Sequence, residues 1–282
     1  MLLVVVLIAS LVVLAACQAA PAPETEPDLT PTHPPEQTTP PADDRFSLHM
    51  SLRYGNEPLH SLAFSPDGEL LAAGLHTQVA LWRLGDGQLV RGIEHRHTVE
   101  DLQFSPDGTW LAAGVTLPGV QVSDAQEGTA LLQLGGGYNN RVAFAPDGET
   151  LASGNRTGVV YIWRQDGELM AEWEQPEADW ITALAYSPDG EMLAAGHRDG
   201  QVHLWRTSDG SLLQTLEPHS DYGKADGLAF SPDGAHLAVA GARREMDRIV
   251  RLWNVEDGSI VRELDTGRAP STAVAYSPSG SM

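Results

Sequence analysis

The sequence has one cysteine, Cys17, among 282 residues. An intrachain disulfide and a cysteine-based zinc site are both excluded. It has one lysine, Lys224, which argues against a polybasic membrane patch. Basic residues are scarce altogether: Lys+Arg total 17 against 38 Asp+Glu, a formal net charge of −21. A surface this acidic repels phosphates, so no nucleic-acid partner is expected. Catalytic signatures are missing too. There is no Gly-x-Ser-x-Gly, no His-Glu-x-x-His, no phosphate-binding glycine loop and no dinucleotide fingerprint. No cofactor and no metal are expected. What is plentiful is glycine and proline, 28 and 19 residues, too many for a helical protein and fitting short elements separated by turns. With 42% hydrophobic and 20% charged residues, most of the chain can bury a core.

Leu2 to Ala16 is apolar apart from Ser10. The run is short of the roughly 20 residues of a spanning helix and suits the apolar core of a signal peptide. It ends in Leu14-Ala15-Ala16-Cys17, with small residues before a cut and a cysteine after it. This arrangement resembles the lipobox of bacterial lipoproteins. The resemblance implies a signal peptide over 1–16, lipidation of Cys17 and a place in the bacterial cell envelope. The chain would be lipid-anchored there to the extracytoplasmic side of a membrane. Residues 17–44 hold that cysteine and eight prolines, among them Pro34-Pro35 and Pro40-Pro41. Few residues here can enter a core, and the segment reads as a disordered spacer. In an extended proline-rich form it would reach roughly 80 Å from the bilayer.

Over residues 45–282 one tetrapeptide recurs. It reads Ser65-Pro66-Asp67-Gly68, Ser105-Pro106-Asp107-Gly108, Ala145-Pro146-Asp147-Gly148, Ser187-Pro188-Asp189-Gly190 and Ser231-Pro232-Asp233-Gly234. Ser277-Pro278-Ser279-Gly280 is a weaker sixth copy. The proline-to-proline steps are 40, 40, 42, 44 and 46 residues, a period that marks a stacked or circular array. Each unit divides into four short strands. A run such as Leu62-Ala63-Phe64 enters the Pro-Asp-Gly turn, and one such as Leu70-Leu71-Ala72-Ala73-Gly74 leaves it. The third strand ends in Trp82, Trp163, Trp205 or Trp253, with Ser123 in the second unit. A second turn carries Asp86-Gly87, Asp166-Gly167, Asp209-Gly210 or Asp257-Gly258, and the fourth strand follows. The pattern predicts one four-stranded antiparallel sheet per unit.

These motifs resemble the WD-repeat family of β-propellers. The resemblance implies an all-β fold of radial four-stranded antiparallel blades around a central channel. Two departures matter. The residue after Trp is Arg83, Arg164, Arg206 or Asn254, never Asp, and the family's His–Ser–Asp–Trp tetrad is mostly missing. Stability should therefore rest on apolar packing between blades. Residues 45–282 provide five complete blades and a partial sixth, begun by Ala273 to Tyr276. An amphipathic strand at 46–53 is placed to complete the last blade. The ring does not close, and the expectation is a truncated chain whose native form has at least six blades.

Both Asp-bearing turn classes should emerge on one face and make it negative. The opposite face carries the candidate partner-binding residues. Its loops supply Arg156, Arg198 and Arg244, and its inter-blade connections supply Tyr138, Trp180 and Tyr222. Tyr138 and Trp180 each sit six residues before the aromatic that ends their strand, so they are equivalent in adjacent blades. Aromatics and arginines are the residue types that anchor interfaces. Propellers of this family commonly bind partners on that face, which supports the choice by analogy. His95 and His97 flank Arg96 in a solvated loop.

The expected function is a non-enzymatic, membrane-anchored scaffold that binds a protein or peptide on one propeller face. A rival expectation is a channel-ligand receptor or a propeller enzyme. It requires polar residues on the channel-lining first strands, which read mostly as Leu, Ala, Val and aromatic. A third expectation makes the chain the sensor fragment of a longer one.

Overall fold

The computed structural model describes residues 58–138, 141–175, 179–217, 223–243, 247–265 and 272–277, together with Leu52. The expected signal peptide over 1–16, Cys17, the proline-rich segment, the expected strand at 46–53 apart from Leu52, and the candidates Tyr222 and Arg244 lie outside them.

The described residues form five four-stranded antiparallel sheets, each continuous in sequence. Blade one is β1 Ser61–Phe64, β2 Leu70–Gly74, β3 Gln78–Arg83 and β4 Gln88–Glu94. Blade two is β5 Val99–Phe104, β6 Trp110–Val115, β7 Gly119–Asp124 and β8 Ala130–Gly136. Blade three is β9 Arg141–Phe144, β10 Thr150–Gly154, β11 Val160–Arg164 and β12 Leu169–Trp173. Blade four is β13 Ile181–Tyr186, β14 Met192–His197, β15 Val202–Arg206 and β16 Leu212–Leu216. Blade five is β17 Gly227–Phe230, β18 His236–Arg243, β19 Asp247–Asn254 and β20 Ile260–Asp265. The first strands touch in succession, β1 on β5, β5 on β9, β9 on β13 and β13 on β17. First strands therefore face the axis, and β4, β8, β12, β16 and β20 form the outer edge.

The turn motif builds each first hairpin by itself. Ser65 donates its hydroxyl to Asp67 Oδ1 at 2.5 Å, and Asp67 Oδ1 accepts the Glu69 amide at 2.9 Å. Ser65 Oγ in turn accepts the Leu70 amide at 2.8 Å, and Gly68 takes the left-handed φ of 72° that closes the turn. The same contacts recur at Ser105–Asp107, Ser187–Asp189 and Ser231–Asp233. These donors hold the four carboxyls below the usual carboxylate range. Turn construction thus accounts for the repeated aspartates. The second turn explains the departure after tryptophan. Arg83, Arg164 and Arg206 each reach the turn carboxylate of Asp86, Asp166 or Asp209, at 3.1, 2.7 and 3.1 Å. In blades two and five the residue at that place caps the turn directly: Asp124 accepts two amides, and so does Asn254.

The core lies between blades, as the scarcity of tetrad residues implied. Phe104 is 5% exposed and packs with Ala72, Val79 and Leu81 of blade one. Phe144 packs likewise on Ala112, Val120 and Val122, and Phe230 on Ala194, Val202 and Leu204. Each first-strand aromatic therefore fills the sheet of the preceding blade. Phe64, the equivalent residue of blade one, is 59% exposed. At the other end, residues 272–277 are not a strand, but Val274 and Tyr276 pack on Ala238, Ala240, Val250 and Leu252 of blade five. Burial pushes the Tyr276 hydroxyl up to about 12.

The glycine that ends the second strand has a packing reason. A Cβ on Gly154 would sit 2.5 Å from Ile181 Cγ2, so only a bare backbone admits the next blade's first strand. Among the described residues a tetrad fragment is seen in blade three: Trp163 Nε1 donates to Ser153 Oγ at 2.9 Å, buried. In blade four Ala195 stands in place of that serine, and Trp205 Nε1 is buried with no acceptor.

Candidate functional site

Antiparallel order puts the two Asp-bearing turns of each blade at one end of the sheets. The opposite end carries the second-to-third-strand turns and the inter-blade connections, where Tyr138, Arg156, Trp180 and Arg198 sit.

Trp180 immediately precedes β13, and the Ile181 amide donates to Asn155 O of blade three at 2.9 Å. That bond draws the inter-blade connection over the turn that holds Arg156. From its own blade, Arg198 donates its amide to Trp180 O at 2.9 Å. The result is one indole shared by two cations. Arg156 Cζ lies 4.5 Å from the ring centroid and Arg198 Cζ 4.4 Å. Both are well inside the range at which a guanidinium is attracted to an aromatic face. Arg156 is half-buried and Arg198 exposed. Arg156 Nε is buried without a hydrogen-bond acceptor. Among the described residues neither arginine has a carboxylate within ion-pair distance. The nearby acids are engaged elsewhere: Asp179 Oδ1 accepts the Trp180 amide at 2.7 Å, and Asp199 Oδ1 accepts the Gln201 amide at 3.0 Å. Tyr138 is 54% exposed, and its carbonyl accepts the Arg156 amide at 3.2 Å.

Four of the six candidate residues thus lie together across blades three and four, and two of them stack on a third. Sequence reasoning missed a fifth member. Lys224 is six residues before Phe230, the spacing that relates Tyr138 to Phe144 and Trp180 to Tyr186. Its neighbour Ala225 donates to His197 O at 3.0 Å, as Ile181 does to Asn155. Lys224 is exposed. Its place in the repeat is the signal that marks it, since its side chain is not aromatic.

The channel side also differs from expectation. The first strands carry polar groups that seal unpaired edge backbone. Asp101 Oδ2 accepts the Val142 amide at 3.0 Å, and Gln103 Oε1 accepts the Phe144 amide at 2.5 Å. Arg141 Nη1 donates to Glu100 O at 2.7 Å, and Thr182 Oγ1 to Ala225 O at 2.7 Å. Burial raises the carboxyls of Asp101 and Asp226, with the Arg141 charge opposing both shifts. At the Asp-turn end the first strands border a pocket of about 430 Å³. Phe104, Phe144, Phe230, Pro106, Pro146 and Pro188 are part of its lining. Among the described residues no group of three or more His, Cys, Asp or Glu converges. His95 is half-buried rather than solvated, and burial lowers it to about 4.

Five consecutive four-stranded blades, each with its first strand toward one axis, define a β-propeller. The chain belongs to the WD40 family. Residues 62–139 and 142–224 match the family described as the anaphase-promoting complex subunit 4 WD40 domain. Residues 210–254 match the WD domain, G-beta repeat. An uncharacterised WD repeat-containing protein of Synechocystis sp. (strain PCC 6803) is 37% identical over 68 residues. That stretch is 24% of this chain and 18% of the relative. The β-propeller domain of Myceliophteria thermophila Cps50 (Swd1) superposes with a TM-score of 0.71 at 19% identity. The alignment covers 80% of this chain and 79% of that one, a likeness of fold. WD40 propellers commonly serve as protein-interaction scaffolds.

Proposed function

We propose that this propeller is a non-enzymatic scaffold that binds a protein or peptide partner on the face carrying Tyr138, Arg156, Trp180 and Arg198. Lipidation of Cys17 would tether it to the outer side of a bacterial membrane. The observation that carries the reading is the indole of Trp180 held by two guanidinium groups that have no carboxylate partner among the described residues. Arginine and tryptophan in fixed, partly desolvated positions are what interface hot spots are made of. Lipid and spacer would fix the position of that face, and the rigid blades would present it.

The test uses full-length protein with a photo-crosslinker in place of Tyr138, in membranes of its native host. A discrete adduct is expected. Trp180→Ala combined with Arg198→Ala should abolish it while the melting temperature stays within a few degrees. An undiminished adduct from that folded double variant overturns the face. Cys17→Ser should release the protein from the membrane fraction; retention there overturns the anchor. The pocket of about 430 Å³ favours a second reading, a small-molecule ligand in the channel at the Asp-turn end. Reproducible thermal stabilisation by one compound class would support it.

A further inference from the structure

We infer that the Arg156–Trp180–Arg198 cluster is a carboxylate-reading site whose ligand is an extended acidic segment of the partner protein. The inference rests on the interaction face proposed above and adds the chemistry of what that face reads.

In a chain of net charge −21 arginines have acids to choose from, and four of the described ones take them. Arg83, Arg164, Arg206 and Arg251 all hold carboxylates. Arg156 and Arg198 hold none among the described residues, and Lys224 continues the cationic series into blade five. Meanwhile the repeated turn aspartates gather at the opposite end of the sheets. Asp179 and Asp199 lie on the same face as the two arginines, but both are spent on backbone amides, so the guanidinium groups of Arg156 and Arg198 are left without a carboxylate among the described residues.

A guanidinium has five N–H donors in a fixed fork that matches a carboxylate. Neither fork has a hydrogen-bond acceptor among the described residues, and Arg156 Nε is buried in that state. A buried donor left without an acceptor is costly. The outer Nη groups of the two forks are the donors a carboxylate can reach, whereas an apolar ligand leaves them unused.

Both Cζ atoms lie within 4.5 Å of one ring centroid, so they are no more than about 9 Å apart. On an extended chain, side chains at i and i+2 share a face and are separated by about 7 Å. Two acidic residues in that relation match two forks. Stacking on Trp180 holds both cations before the ligand arrives, which lowers the ordering cost of binding. Tyr138 on one flank and Lys224 on the other lengthen the surface over blades three to five, more than a single small anion uses.

The experiment is fluorescence anisotropy of a labelled eight-residue peptide of alternating Glu and Gly against the full-length protein in detergent. The same-length Gln-Gly and Lys-Gly peptides, and inorganic phosphate as competitor, are the controls. Binding of the Glu-Gly peptide alone is expected, weakened about tenfold in Arg198→Gln and in Arg156→Gln. Arg198→Lys should recover only part of the loss, because a lysine keeps the charge but not the fork. Equal binding of the Gln-Gly peptide, or no effect of either glutamine variant, overturns the inference. Displacement of the peptide by millimolar phosphate also overturns it, since the site would then read any anion. Should the crosslinked adduct form at position 138 while the Glu-Gly peptide fails to bind, the face stands and its acidic chemistry falls. Failure of both removes the face as well.

Discussion

His197 on β14 and His203 on β15 lie ring to ring in blade four, with centroids 4.4 Å apart. They are 2% and 5% exposed. His197 Nδ1 is 2.8 Å from Asp179 O, while His197 Nε2 and His203 Nδ1 are buried with no partner. Two imidazolium ions at this distance in the core would repel one another, and burial already disfavours each. Desolvation lowers His203 to about 4, with the His197 charge adding to the shift and Asp199 opposing it. His197 is lowered too, by burial, against Asp179 and Asp199. A folded value below the unfolded one means that the unfolded chain takes up the proton first. The neutral pair leaves stability intact above about pH 6.5, and stability falls as the pH drops from there toward 4. For His203 alone the loss is about 2 kcal/mol at pH 5 and about 3 kcal/mol at pH 4. His95, also lowered to about 4, adds a similar loss in the same window. The turn aspartates, lowered below the carboxylate range, act only below about pH 4 and do not interfere. His203→Phe keeps a ring in the site and removes the titration. Urea unfolding at pH 7.5, 6 and 5 should show a shallower loss of stability in the variant, by about 2 kcal/mol at pH 5 relative to pH 7.5. Parallel pH profiles for the two proteins would refute the argument, whatever their absolute stabilities.

Three further outcomes are expected. Ala195→Ser should give Trp205 Nε1 the acceptor that Ser153 gives Trp163 and raise stability by about 1 kcal/mol. A lower urea midpoint would count against that transfer. Replacing Phe64, which is 59% exposed, by Ala should cost under about 1 kcal/mol. Phe104→Ala, at 5% exposure, should cost about 3–5 kcal/mol; equal costs would mean that the face of blade one is covered in solution. Gly154→Ala should destabilise by about 1–3 kcal/mol through the clash with Ile181, and a neutral result by thermal melt would show that the seam gives way.

Much of the architecture was legible because it is local. In four of the five turns the serine and aspartate bond each other and the backbone within five residues, so the motif carries its own hairpin. The blade register follows, and with it the number of complete sheets. The fourth strand was legible only in outline. Opposite each third-strand tryptophan, and opposite Ser123 in blade two, the pairing slips by one residue. The slip leaves Val90, Leu131, Met170, Leu213 and Val261 exposed on the outer edge. A hydrophobic pattern reads such residues as core, because a bulge cannot be seen in the composition of one strand.

The candidate face divides the same way. The sequence placed Tyr138 and Trp180 at equivalent points of adjacent blades and put arginines at the same end, by counting along a repeat. That one indole serves Arg156 from one blade and Arg198 from the next is a matter of how two blades meet. So are the seal of Asp101 over an amide 41 residues away and the meeting of His197 with His203. A repeat determines what each unit is, since its hairpins close through near neighbours. Which side chains of successive units touch depends on the angle and depth of their packing, and only the assembled blades set those.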